Sequence, residues 1–134
     1  MCVGEVLGYC DPVCALAEFA RVLVTGGVLI CDFGNSRSFR YWLTPTYRRA
    51  ADMIQDIYID VAENVWVYDP EYIKSILTSS GFAVNQTFGT HTWSALSRKF
   101  AASPTTAVRL QKVLDWLPDS ASYADVTTIV ALRS

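Results

Sequence analysis

Apolar positions along the chain fall into two alternating rhythms. After Asp11-Pro12, the residues Val13, Leu16, Ala20 and Leu23 recur at helical spacing, and the run stops at Gly26. After Asp69-Pro70, a second stripe runs through Tyr72, Ile73, Ile76 and Leu77 and ends at Gly81. A third follows Ser103-Pro104 through Ala107, Leu110, Leu114 and Leu117. Each begins with a capping side chain and a proline at the first helical position, where its missing N–H costs nothing. Thr44-Pro45 has the same form, so Ala50, Ile54, Ile57 and Tyr58 read as a fourth helix. Between these runs, Val28-Leu29-Ile30-Cys31 is short, continuous and apolar, as in a strand buried on both faces. Phe82 to Phe88 and the β-branched Val126 to Leu132 also read as strands, and so does Met1 to Leu7.

The order predicts an α/β layered fold with a mostly parallel sheet, in a single domain over residues 1–134. A helical insertion is expected over about residues 36–66.

Gly26-Gly27 needs separate treatment, because glycine pairs also build phosphate cradles. Such cradles follow a strand and open a helix, so that N–H groups and the positive helix end face the anion. Here the pair follows a helix and precedes a strand, which makes it a helix cap and turn. Ligands in open α/β sheets bind beyond the carboxyl ends of strands. Those ends are Asp32-Phe33-Gly34-Asn35 and, for the first strand, Gly4 to Tyr9. Tyr9, Asp32 and Asn35 are therefore candidate substrate contacts.

Composition narrows the function. The 134 residues are 51% hydrophobic and 18% charged with net charge -2, which gives no basic footprint for nucleic acid. No apolar run approaches the ~20 residues that cross a bilayer. No leader pattern is evident at the start, and the expectation is a cytoplasmic protein. Cys2, Cys10, Cys14 and Cys31 match no compact zinc spacing and read as reduced thiols, so no metal is expected.

The stretch GEVLGYCDPVCALAEFARVLVTGGVLICDFGN resembles the middle of class I S-adenosylmethionine-dependent methyltransferases. In that family a helix opens at an Asp-Pro-like cap, closes with R-V-L-K-P-G-G and leads into the fifth strand. Arg21-Val22-Leu23-Val24-Thr25-Gly26-Gly27 is similar, with Val24 and Thr25 in place of Lys and Pro. YDPEYIKSILTSSGFAV resembles the helix and turn before the sixth strand, and Ala124 to Arg133 the antiparallel seventh. The resemblance implies a partial Rossmann-like methyltransferase fold, strands four to seven. It implies S-adenosylmethionine as cofactor and a small-molecule methyl acceptor. The family's Gly-rich loop after the first strand, and the acidic residue ending the second, have no match here. The expectation is therefore a carboxyl-terminal half, from a truncated or split protein, that binds the cofactor weakly or not at all.

By the same resemblance Val3, Gly4 and Glu5 border the cofactor, and Glu5 orients or deprotonates the acceptor. Phe39, Tyr41 and Trp42 belong to an aromatic lid over the substrate. His91, in GTHTWS, is a second candidate base because its ordinary pKa lies near neutral pH, with Trp93 as its neighbour. Two other readings remain open: an interaction module pairing through an exposed strand edge, including with its own copy, and a fragment of a nicotinamide-dependent oxidoreductase.

Overall fold

The computed structural model describes residues 1–58, 60–92, 105, 109 and 120–134. Trp93 lies outside the described residues, as does the helix expected after Ser103, apart from Thr105 and Arg109.

Two of the capping signals act as the sequence suggests. The Asp11 carboxylate accepts the Val13 N–H at 2.8 Å and opens helix α1 (Pro12–Val22). Asp69 does the same for Glu71 at 2.8 Å and opens α2 (Pro70–Ser79). Each satisfies an amide that the first helical turn leaves orphaned. Gly26-Gly27 is the turn anticipated between α1 and strand β1 (Val28–Asn35). Gly26 has φ 81°, its N–H donates to the Arg133 carbonyl, and Gly27 N–H donates to that of Val24. A Cβ on Gly27 would sit 2.8 Å from the Val24 oxygen, so the turn excludes larger residues.

Five strands form one sheet in the order β2-β3-β1-β5-β4, with β2 (Ala51–Tyr58), β3 (Val61–Tyr68), β4 (Phe82–Thr90) and β5 (Val126–Arg133). The β1, β5 and β4 strands were legible as strands, and β5 is antiparallel to both neighbours as the resemblance implies. Leu29, Cys31 and Phe33 of β1 share the core with Ile129 and Ala131 of β5, beneath Leu16 of α1 and Ile73 and Leu77 of α2.

Three expectations are corrected. The insertion over residues 36–66 is not helical. It holds a short 3₁₀ turn (Phe39–Tyr41), irregular turns, and the antiparallel hairpin β2–β3. Arg48 at φ 61° breaks any helix after Thr44-Pro45, and the residues beyond it find cross-strand partners in β3. The sheet is also not mostly parallel. Among the described residues the parallel pairings are Gly34↔Val67, Asn35↔Tyr68 and the lone bridge Cys2↔Cys31. Finally, Met1 to Leu7 makes only that bridge. Gly4 and Glu5 turn away with φ 91° and 57°, and a 3₁₀ turn (Val6–Tyr9) follows.

Asn35 anchors the junction where β1 ends. It is fully buried, and its amide nitrogen donates to the Ser122 and Ala124 carbonyls at 3.0 and 2.9 Å. Its oxygen accepts the Arg37 N–H at 2.8 Å. Removing it strands polar groups away from water, so Asn35→Ala should cost about 2–4 kcal/mol. Urea unfolding should show a lowered midpoint at unchanged slope; an unaltered midpoint would contradict the clamp.

Candidate active site

The carboxyl end of β1 is shaped by one carboxylate. Asp32 Oδ2 accepts the Gly4 N–H at 3.0 Å, and Oδ1 accepts that of Glu5 at 2.8 Å. Gly4 offers little resistance to its left-handed turn, and Glu5 is held there by the same hydrogen bonds. The turn brings the Glu5 side chain over Gly34. A Cβ built on Gly34 would stand 3.6 Å from Glu5 Oε2 and 2.9 Å from Val67 Cγ1. The missing side chain of Gly34 thus makes room for both the carboxylate and the neighbouring strand.

The hairpin completes the cleft. Its register sets Asp56 directly opposite Glu63 and Ile54 opposite Val65. A cavity of about 370 Å³ lies between Gly4, Glu5 and Tyr9 on one side and Asp56, Ile57, Glu63 and Val65 on the other. The Tyr9 hydroxyl donates to Glu63 Oε2 at 2.8 Å. From behind, the Tyr68 hydroxyl reaches the Leu7 and Cys10 carbonyls at 3.2 and 3.3 Å, fixing the 3₁₀ turn that carries Tyr9.

Arg40 is the cation next to this acidic ring. Its guanidinium grips Asp56 with two bonds, at 2.9 and 3.2 Å, and stands 3.9 Å from Asp125. Ser38 Oγ donates to Asp125 at 2.9 Å. The Arg40 hydrogen bonds hold the Asp56 carboxyl below its usual range, against the opposing effect of burial. Glu5 moves the other way. Although part of its surface reaches solvent, desolvation in the cleft raises its carboxyl pKa. The charges of Asp125, Asp32 and Asp56 add to the rise, and Arg40 offsets it only in part.

The structure gathers Gly4, Glu5, Tyr9 and Asp32 at one place, with Val3 adjoining Gly4 in the chain. The two oxygens of Asp32 are committed to the backbone, so it shapes the site. The buried Asn35 clamp has no atom left for a ligand, which corrects its assignment as a substrate contact. Phe39 stacks on Tyr123 with ring centres 5.0 Å apart and lies 5.9 Å from Trp42, whereas Tyr41 is buried under the Arg40 guanidinium. His91 follows the end of β4, and Thr90, Val126 and Gly34 lie in one register row across β4, β5 and β1. Thr90, the residue before His91, is therefore about two strand spacings, roughly 10 Å, from Gly34. Sequence reasoning missed Arg40, Asp56, Glu63 and Asp125. The available signal was the two-residue spacing of Asp52, Ile54 and Asp56 and of Glu63, Val65 and Val67, on either side of Asp60, which sets each trio on one face of a strand. Among the described residues no group of His, Cys, Asp and Glu could hold a metal ion.

A raised carboxyl pKa in the folded state means that ionising Glu5 disfavours folding. The penalty is absent below the ordinary carboxylate pKa and complete above the raised one. Glu5→Gln should therefore raise the melting temperature at about pH 7, with the gain fading toward about pH 4. An equal or lower melting temperature for the variant at neutral pH would contradict the acidic ring.

No protein-family model and no curated protein matches the chain. Solved structures do. It is similar to an S-adenosylmethionine-dependent methyltransferase from Listeria monocytogenes, described there as putative, with TM-score 0.56 at 10% identity, over 89% of this chain and 53% of that one. A methyltransferase of the same kind from Mesorhizobium loti gives TM-score 0.51 at 13% identity, over 95% and 58%. The glycopeptide N-methyltransferase MtfA, solved with S-adenosyl-L-homocysteine, gives 0.53 at 12% identity, over 96% and 51%. The chain spans about half the length of these neighbours. Over that span it has the fold of S-adenosylmethionine-dependent methyltransferases.

Proposed function

We propose that the chain is the acceptor-side part of a small-molecule methyltransferase that uses S-adenosylmethionine. The observation that carries this reading is the position of Glu5. Its carboxylate is held at the carboxyl end of a strand, beside a cavity, in a fold shared with methyltransferases. The cofactor supplies an activated methyl group. The chain's own residues bind and orient the acceptor, and Glu5 holds or takes its proton. Tyr9 and the Phe39–Trp42 pair offer surface for an acceptor's body, and Val3 and Gly4 border the cofactor.

The described residues do not by themselves fit the whole cofactor. Gly26 and Gly27 spend their N–H groups on the Arg133 and Val24 carbonyls, and Gly4 and Glu5 spend theirs on Asp32. No glycine cradle with free amides remains among them, so weak cofactor binding is the expectation. The test is a thermal melt with and without about 1 mM S-adenosylhomocysteine, on this chain and on the chain with any coding sequence that precedes it in frame. Ligand that binds only the folded state raises the melting temperature by mass action. A rise in the extended protein supports the reading, and no rise in either overturns it.

A second reading is favoured by the edge of β1. Cys2 is its strand partner before Gly34, through Cys2 N–H to the Ile30 carbonyl and Asp32 N–H to that of Cys2. An edge met by one residue invites another strand, from a copy or a partner. Light scattering separates the two: a strict monomer at high concentration counts against edge pairing.

A further inference from the structure

We propose that the cavity between the Val6–Tyr9 turn and the β2–β3 hairpin takes an organic cation, an ammonium-bearing acceptor. The role as acceptor rests on the methyltransferase reading; the binding itself does not.

The argument starts from an arrangement that costs stability. Asp56 and Glu63 face each other across an antiparallel pair, where like charges repel. Glu5 brings a third carboxylate to the same cavity. Arg40 forms a salt bridge with only one of the three, by its two bonds to Asp56, and offsets the crowding around Glu5 only in part. Glu63 receives a neutral phenol from Tyr9, and neither Glu5 nor Glu63 has a salt bridge among the described residues. The walls therefore carry more negative charge than the protein neutralises.

Size and wall chemistry narrow the cation. These carboxylates form no group able to hold a metal ion, and about 370 Å³ is far larger than a bare ion. It lies within the range of about 300–1,000 Å³ typical of small-molecule sites. Ile57 and Val65 give the cavity an apolar side, suited to the hydrocarbon body of an amine. The ammonium then donates charge-assisted hydrogen bonds to Glu5 and Glu63, the two carboxylates without a salt bridge among the described residues.

The probes are phenethylamine, protonated at neutral pH, and 2-phenylethanol, its uncharged counterpart. Binding is followed by calorimetry or NMR shifts with no cofactor present, so the outcome does not depend on methyl transfer. The amine should bind saturably and the alcohol at least about tenfold more weakly, as expected when a charged hydrogen bond is lost. Added salt should weaken the amine, because part of the attraction is screened. The double variant E5Q/E63Q keeps hydrogen-bonding oxygens and relieves repulsion, so it should fold at least as stably and bind the amine at least about tenfold more weakly. Equal binding of amine and alcohol overturns the proposal. So does unchanged amine affinity in the double variant, or no saturable amine binding at about 10 mM, a concentration that detects even very weak complexes. Displacement of the amine by S-adenosylmethionine or S-adenosylhomocysteine would give the cavity to the cofactor, which also overturns it.

Discussion

Two backbone amides on one carboxylate set the geometry of this site. A strand that continued past Val3 would carry Glu5 along the edge of β1. Asp32 instead offers its oxygens to the Gly4 and Glu5 N–H groups, and side-chain acceptance replaces the ladder. The chain turns, and three things follow from that turn. Glu5 comes to rest over Gly34, the Val6–Tyr9 segment is delivered to the Tyr68 hydroxyl, and Tyr9 comes within reach of Glu63. A carboxylate that could be taken for a ligand contact is thus spent on architecture.

The electrostatics of the cleft are divided unevenly by Arg40. Its planar fork suits a two-point grip on Asp56, which becomes a firmly ionised partner. The same guanidinium is only a weaker influence on Glu5, whose carboxyl is pushed upward. Two acids on neighbouring elements therefore differ in protonation tendency because one has a fixed cation and the other has neighbours of its own sign. Separation of this kind is what acid–base work requires.

Local signals made part of this legible in the sequence. Asp11-Pro12 and Asp69-Pro70 mark helix starts because the cap, the proline and the amides they serve lie within three residues. Val28–Cys31 and Val126–Leu132 are strands by composition alone. The hairpin was misread because Ile54, Ile57 and Tyr58 also satisfy helical spacing, and Thr44-Pro45 imitates a helix start. What decides the matter is pairing with β3, which no window around Ile54 contains. The site divides in the same way. Glu5 could be found through the resemblance to methyltransferases. Asp56 and Glu63 face each other only once the register is known, and Asn35 has the residue type of a contact but the surroundings of a clamp.

The seam between the hairpin and the rest of the sheet is short. β3 meets β1 at just Gly34 and Asn35, whereas β2 and β3 pair along their whole length and β1 pairs with β5 from Val28 to Gly34. A short seam of this kind is a natural place for sub-global opening to start. Parting the hairpin from the central strands gives up those two rungs, the Arg40 grip and the Tyr9–Glu63 hydrogen bond. It also gives up the hold of the Tyr68 hydroxyl on the Leu7 and Cys10 carbonyls, while the hairpin's own ladder can stay closed. Amide hydrogen exchange in β2 and β3 would then reflect two routes, an opening of the seam and a melting of the hairpin, and β1 and β5 would follow neither. One wall of the cavity belongs to the hairpin, so the space between Glu5 and Glu63 depends on how this seam sits.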